Sequence, residues 1–120
     1  MKTAPADLHV FKAEFFRALA HPVRIRILEA LIHGELSVGQ IQGQLGLEQS
    51  LVSQQLSLLR AKNIVAARKH GTTVRYTVRD PLLADLLDVA RQIFNNHLVG
   101  TRTLLRELQR EGRRRSPAHP

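Results

Sequence analysis

Ser37 to Lys62 reads SVGQIQGQLGLEQSLVSQQLSLLRAK, two short helical segments joined by a tight turn. The first opens with Ser37-x-x-Gln40, a capping box in which hydroxyl and amide satisfy each other's backbone N–H groups. Ile41 and Leu45 give that helix a buried edge, and Gly46 suits the left-handed residue that ends it. Glu48 stands at or near the start of the second helix, where a carboxylate meets the positive end of the dipole. At 100° per residue, Leu51, Val52, Leu56, Leu58 and Leu59 occupy one half of this second helix. Gln49, Ser50, Ser53, Gln54, Ser57 and Arg60 occupy the other half. An ordinary solvated face carries Glu/Lys pairs. This one carries hydroxyls and amides with a single guanidinium, groups able to approach phosphates and base edges in a major groove. Two brief helices around a glycine turn make a helix-turn-helix, and the second is its candidate reading helix.

The hydrophobic period changes after Lys62. Ile64–Lys69 and Thr73–Val78 are rich in β-branched residues, and the second alternates apolar and polar side chains. His70-Gly71-Thr72 supplies the turn of a β-hairpin with a basic tip. A helix-turn-helix followed by a basic hairpin is a winged helix: mainly α, with one small hairpin. Upstream, Asp7 can cap a helix carrying Leu8, Phe11, Phe15, Ala18 and Leu19. His21-Pro22 interrupts it, and Pro22 takes the first position of a helix whose stripe is Val23, Ile27, Leu28 and Leu31, up to Gly34. Downstream, Asp80-Pro81 opens a final helical region. Leu82, Leu83, Leu86, Leu87, Ala90, Ile93 and Phe94 make a face too broad for one surface helix on so small a body. Thr101–Glu111 adds Leu104, Leu105 and Leu108, and the spacing leaves open whether Gly100 separates two helices or sits inside one. The surplus apolar width predicts a homodimer, built from first and last helices, with Phe11, Phe15, Leu83, Leu86, Leu87, Ala90, Ile93 and Phe94 at its interface. The expected organisation is a flexible N-terminus over 1–6, a winged-helix and dimerisation domain over 7–111, and a basic disordered tail over 112–120.

The 120 residues suffice for one domain. Hydrophobic residues make up 43% and aromatic ones only 4%, so the core is mainly Leu, Ile, Val and Ala. No apolar run approaches the ~20 residues of a membrane span, and the first residues lack a secretory signal. The absence of cysteine excludes disulfides, thiol catalysis and cysteine-based metal sites, and fits a cytoplasmic location. The formal charge of +8 favours a polyanionic partner. Arg113, Arg114 and Arg115 belong to the tail. Arg60, Lys62, Arg68, Lys69, Arg75 and Arg79 instead crowd the stretch directly after the reading helix, which points to double-stranded DNA. Nothing suggests an enzyme: there is no glycine-rich phosphate loop and no nucleophile–base pair.

Three segments in order resemble the ArsR/SmtB family of bacterial winged-helix transcriptional regulators. They are Phe16 to Leu28 (FRALAHPVRIRIL) leading into Gly34 to Gly39 (GELSVG), Leu47 to Arg60, and the wing Arg68 to Tyr76 (RKHGTTVRY). The resemblance spans roughly residues 8–99. It implies a symmetric dimer binding a palindromic operator, and a metal site that controls release. The chain departs from the last of these. Ser37 stands where the family's thiolate site would place a ligand. Near the final dimer helix Asp80 is present, but Leu82 and Ile93 occupy the expected imidazole positions, so neither common metal site is expected.

Gln54 is the favoured base reader, because its amide can pair bidentately with adenine. Ser53, Ser57 and Arg60 are assigned to phosphates, as are Lys69, His70, Thr72 and Arg75 of the wing. Gln49 and Ser50 complete the major-groove set, while Gln55 falls on the apolar flank and packs or bonds to backbone. No cofactor is expected. Two alternatives stand beside this reading: a divalent-metal (nickel or zinc) response through a nonstandard site of His9, Glu14 and His97, and a winged-helix module that binds a partner protein or effector.

Overall fold

Pro22 fixes the entry to the core. In the computed structural model, which describes residues 5–97 and 102–115, His21 is the N-cap of the helix that proline opens, and its Nδ1 accepts from Val23 N at 3.1 Å. The described chain runs α1 (Pro5–Leu19), α2 (Pro22–Leu31), β1 (Leu36–Ser37), α3 (Val38–Leu45), α4 (Gln49–Ala61), β2 (Val65–His70), β3 (Thr73–Val78), α5 (Leu82–His97) and α6 (Arg102–Arg115). It divides after Pro81 into two units, each described in its own right.

In the first unit, Ile27, Leu28 and Leu31 of α2, Ile41 of α3, and Val52, Leu56 and Leu59 of α4 are buried, with Ile64 and Val65 at the start of β2. Each such side chain contributes about 1.5–3 kcal/mol relative to exposure. The capping box forms as the sequence requires: Ser37 Oγ accepts from Gln40 N at 3.2 Å, and Gln40 Oε1 accepts from Ser37 N at 2.9 Å. Gly46 ends α3 at φ 66°, and Arg26 of α2 donates to Leu45 O at 2.9 Å, a cation on the last carbonyls of α3.

The hairpin is part of a larger sheet. Leu36 and Ser37 pair antiparallel with Tyr76 and Arg75, giving three strands in the order β1-β3-β2. A strand of two residues has no period to detect, which is why the sequence reading stops at a hairpin. The β2–β3 loop is two residues long, Gly71 and Thr72, rather than three, with Gly71 at φ 65°. This fixes the register at His70 opposite Thr73 and Arg68 opposite Arg75.

In the second unit, α5 and α6 are separate helices that fold back on each other. A Cβ built on Gly112 would lie 3.0 Å from Arg91 Nη1. Along one continuous helix these residues would stand about 30 Å apart. Gly100 itself lies outside the described residues. Helix α6 continues to Arg115, past the expected end at Glu111, so the segment read as tail from 112 starts helical. Similarly, α1 begins at Pro5, which places Asp7 inside its first turn rather than at its cap.

Candidate nucleic-acid interface

The two faces of α4 separate as its sequence dictates, with one departure at Leu58. Gln49, Ser50, Gln54, Ser57 and Arg60 are exposed and Ser53 is half-buried. Gln55, between Leu51 and Leu59 on the helical wheel, is only 6% exposed, and its Oε1 has no hydrogen-bond partner among the described residues. Leu58, read on the apolar half and lying at its edge, is 44% exposed. It borders an open cleft of about 210 Å³ shared with Ala18, Arg17, Arg24 and Lys62. The buried arc is therefore narrower than the apolar half of the sequence, and Gln55 rather than Leu58 falls within it.

Register sorts the wing residues. Side chains of Arg68, His70, Thr73 and Arg75 share one face of the sheet, while Lys69 lies on the other with Val65, Ala67, Val74 and Tyr76. Thr72 sits in the loop. Val65 is buried, so the face bearing Lys69 at its outer end is the one turned to the core. Lys69, His70 and Thr72 are exposed, and Arg75 is half-buried with its Nε unpartnered among the described residues.

Arg68 and Glu35 complete this face, and neither was assigned to the site from sequence. Glu35 Oε2 accepts from Arg68 Nη2 at 3.0 Å, and its Oε1 lies 3.3 Å from His70 Nε2. The Arg68 hydrogen bond and charge, aided by His70 and Arg75, hold the Glu35 carboxyl below its ordinary pKa of 4.5. The hairpin alternation contained the signal for Arg68 once the loop length was known. Glu35 carried no such signal, because β1 was not legible.

The remaining candidates distribute as follows. Glu14 pairs with Arg17 one turn along α1; His9 belongs to the same unit and His97 to the other. Among the described residues, no three His, Cys, Asp or Glu side chains are grouped to hold a metal ion. Phe11 is 72% exposed, and Phe15, Ile93 and Phe94 are exposed as well. Leu86, Leu87 and Ala90 are half-buried, whereas Leu83 is only 6% exposed. No described helix is long and apolar enough to cross a membrane.

Comparison with known proteins gives this geometry a setting. The profile described as "Bacterial regulatory protein, arsR family" matches residues 21–67, which hold α2 to the start of β2. An HTH-type transcriptional regulator of Mycobacterium tuberculosis, Rv0081, is 44% identical over 88% of this chain and 93% of its own length. The chain belongs to the arsR family. The crystal structure of Rv0081 superposes with a TM-score of 0.71, covering 80% of this chain and 95% of that one at 46% identity. The nodulation protein NolR of Rhizobium meliloti is 33% identical over 80% of this chain and 81% of its length. A solution structure from Mycobacterium bovis, a homodimeric winged helix-turn-helix DNA-binding fragment of Mb0332, gives a TM-score of 0.72 at 28% identity, over 82% of this chain and 91% of that one. This arsR-family chain is thus a DNA-binding transcriptional regulator with a winged helix-turn-helix fold, not an enzyme.

Proposed function

We propose that the protein is a homodimer that sets α4 of each protomer into the major groove of a palindromic operator and lays the β2–β3 hairpin along the flanking backbone. The observation that carries this reading is the exposed, nearly uncharged polar face of α4, backed by a helix face packed into the core. Hydroxyls and amides on a rigid rod lose little entropy on docking and match base edges that a Glu/Lys surface would not. Gln54 is the base reader, with Gln49 and Ser50 beside it near the amino end; Ser53, Ser57 and Arg60 hold phosphates. Lys69, His70, Thr72 and Arg75 steady the hairpin on the backbone. Acting on DNA places the protein in the cytoplasm.

The dimer is supported by apolar surface that a monomer would leave wet. Leu8, Val10, Phe11, Phe15 and Phe16 are exposed on α1, and Leu82, Val89, Ile93 and Phe94 on α5. The Mb0332 fragment, of the same fold, is homodimeric. A two-fold dimer presents two α4 helices to half-sites about 34–36 Å apart, and an operator with matching symmetry follows.

Selection of bound fragments from genomic DNA, followed by titration of the recovered site and a scrambled duplex at several salt concentrations, tests the proposal. The expected result is a palindromic site whose preference survives added salt, with Gln54→Ala relaxing specificity at one position per half-site by about 1–3 kcal/mol. Equal binding to every duplex, or retained preference at that position in the variant, would overturn it.

A further inference from the structure

The outward face of the sheet gathers three basic side chains around one acid. Arg68 and Arg75 stand directly opposite each other on neighbouring strands, an arrangement of like charges that weakens a sheet, and His70 lies two residues along on the same face. Glu35 answers them, with one carboxylate oxygen on Arg68 at 3.0 Å and the other 3.3 Å from His70. Its position is fixed from both sides. Leu36 and Ser37, next in the chain, pair with Tyr76 and Arg75 of the central strand, and Ser37 caps α3. The carboxylate is thus carried by backbone shared between the helix-turn-helix and the wing. Arg75 has no ion pair among the described residues.

A carboxylate offering one oxygen to a guanidinium and the other to an imidazole presents the same contacts as a backbone phosphate. We propose that Glu35 is an internal stand-in for a DNA phosphate, an autoinhibitory contact that competes with the DNA backbone for the wing. It keeps Arg68 and His70 engaged on random duplex and yields them only where the operator fixes a phosphate beside the wing. The proposal rests on the hairpin being a phosphate-contacting wing. On non-operator DNA the backbone lies loosely against the hairpin, so exchanging Glu35 for a phosphate gains nothing and Arg68 and His70 add no affinity. On the operator, α4 is locked in register, the wing meets a phosphate in fixed geometry, and the exchange becomes favourable. Both complexes therefore bind more weakly than they would without Glu35: random duplex forgoes the Arg68 contact, and the operator gains it only after the Glu35–Arg68 pair is broken.

The test compares wild-type and Glu35→Gln full-length protein on operator and scrambled duplex, between about 50 and 300 mM KCl. On scrambled duplex the variant should bind about 3- to 10-fold tighter at low salt, and its log K against log salt slope should steepen by about 0.9 for each wing engaged. Operator affinity should rise by at least as large a factor, because there the variant no longer has to break the Glu35–Arg68 pair. Glu35→Gln combined with Arg68→Gln should return the slope to the wild-type value. An unchanged or flatter slope in Glu35→Gln, or a steep slope that persists in the double variant, overturns the proposal; a merely structural ion pair would alter the melting temperature and leave the slope alone. Should Glu35→Gln fail to melt cooperatively, the Arg68 guanidinium nitrogen resonances of the wild-type protein decide. They should stay in place on scrambled duplex and move on the operator, and movement on both overturns the idea. Arg75→Gln separates the two readings. If it leaves the salt slope intact, the wing reading fails; if it flattens the slope while Glu35→Gln changes nothing, only the stand-in role fails.

Discussion

Asn63 holds φ at 60°, alone among the described non-glycine residues in a positive φ. It closes α4: Asn63 N donates to Arg60 O and Ile64 N to Leu59 O, both at 3.0 Å, the pattern of a Schellman motif with buried Leu59 and Ile64 beside it. Asparagine tolerates this conformation and a β-branched residue does not. Asn63→Val should therefore cost about 1–2 kcal/mol in chemical denaturation, while Asn63→Gly should stay within about 0.5 kcal/mol of wild type. Equal losses in both would assign the effect to the side chain's contacts instead. Glu35 supports a pH prediction of definite sign. Its folded pKa lies below 4.5, so its ion pair stabilises the fold fully above that value, and the contribution fades as pH falls through the lowered pKa. Thermal melts should show wild type above Glu35→Gln at neutral pH, with the gap closing only below pH 4.5. A gap that instead vanished between neutral pH and about pH 6 would mean that another group carries the linkage.

At the level of elements, α4 belongs to two environments at once, and its core side is where truncation is most costly. Leu56 is fully buried against the α2 and α3 stripe, so Leu56→Ala should lower stability by about 2–5 kcal/mol in urea denaturation. A cost below about 1 kcal/mol would mean that the helix is held by something other than this stripe. The helix-turn-helix was legible because each of its ends is fixed by local chemistry: Ser37 with Gln40, Gly46, and a polar face of one character. The hairpin was legible from alternation, yet its register was not, since His70-Gly71-Thr72 reads equally as a loop of two or three residues. That single uncertainty hid Arg68. Strand β1 escaped altogether, because two residues show no period and their partner is a strand some forty positions away, and Glu35 went with it. Leu58 lies outside the buried arc for a related reason. A wheel gives the directions of side chains, and only the packing neighbours decide how wide the buried arc is. In the second unit, leucine spacing located α5 and α6, but the contact between Arg91 and Gly112 was needed to show that the chain doubles back between them.

For the whole molecule, the proposed dimer makes DNA affinity depend on pairing two protomers. One winged helix offers a single α4 and a single hairpin, too few contacts to hold a regulator on its site against competing genomic DNA. Linking two such modules makes the second engagement intramolecular and raises the overall affinity by roughly 10²–10⁴ without any new contact. In the proposed dimer, the exposed rings of α1 and α5 form that link. In a two-fold interface each substitution occurs twice, so Phe11→Glu removes two rings of α1 and introduces two carboxylates into apolar surroundings. Burying one such ring stabilises association by on the order of 2 kcal/mol, so losing two, with unpaired charges in their place, exceeds what a small dimer can tolerate. Sedimentation should find Phe11→Glu monomeric at micromolar concentration with its helical content intact, because Phe11 lies outside the protomer's core. Operator affinity should fall by two orders of magnitude or more, while the weak, salt-sensitive binding to a single half-site persists. Phe94→Glu on α5 should behave alike, and a variant that turned monomeric yet still bound the full operator as tightly as wild type would detach DNA recognition from pairing.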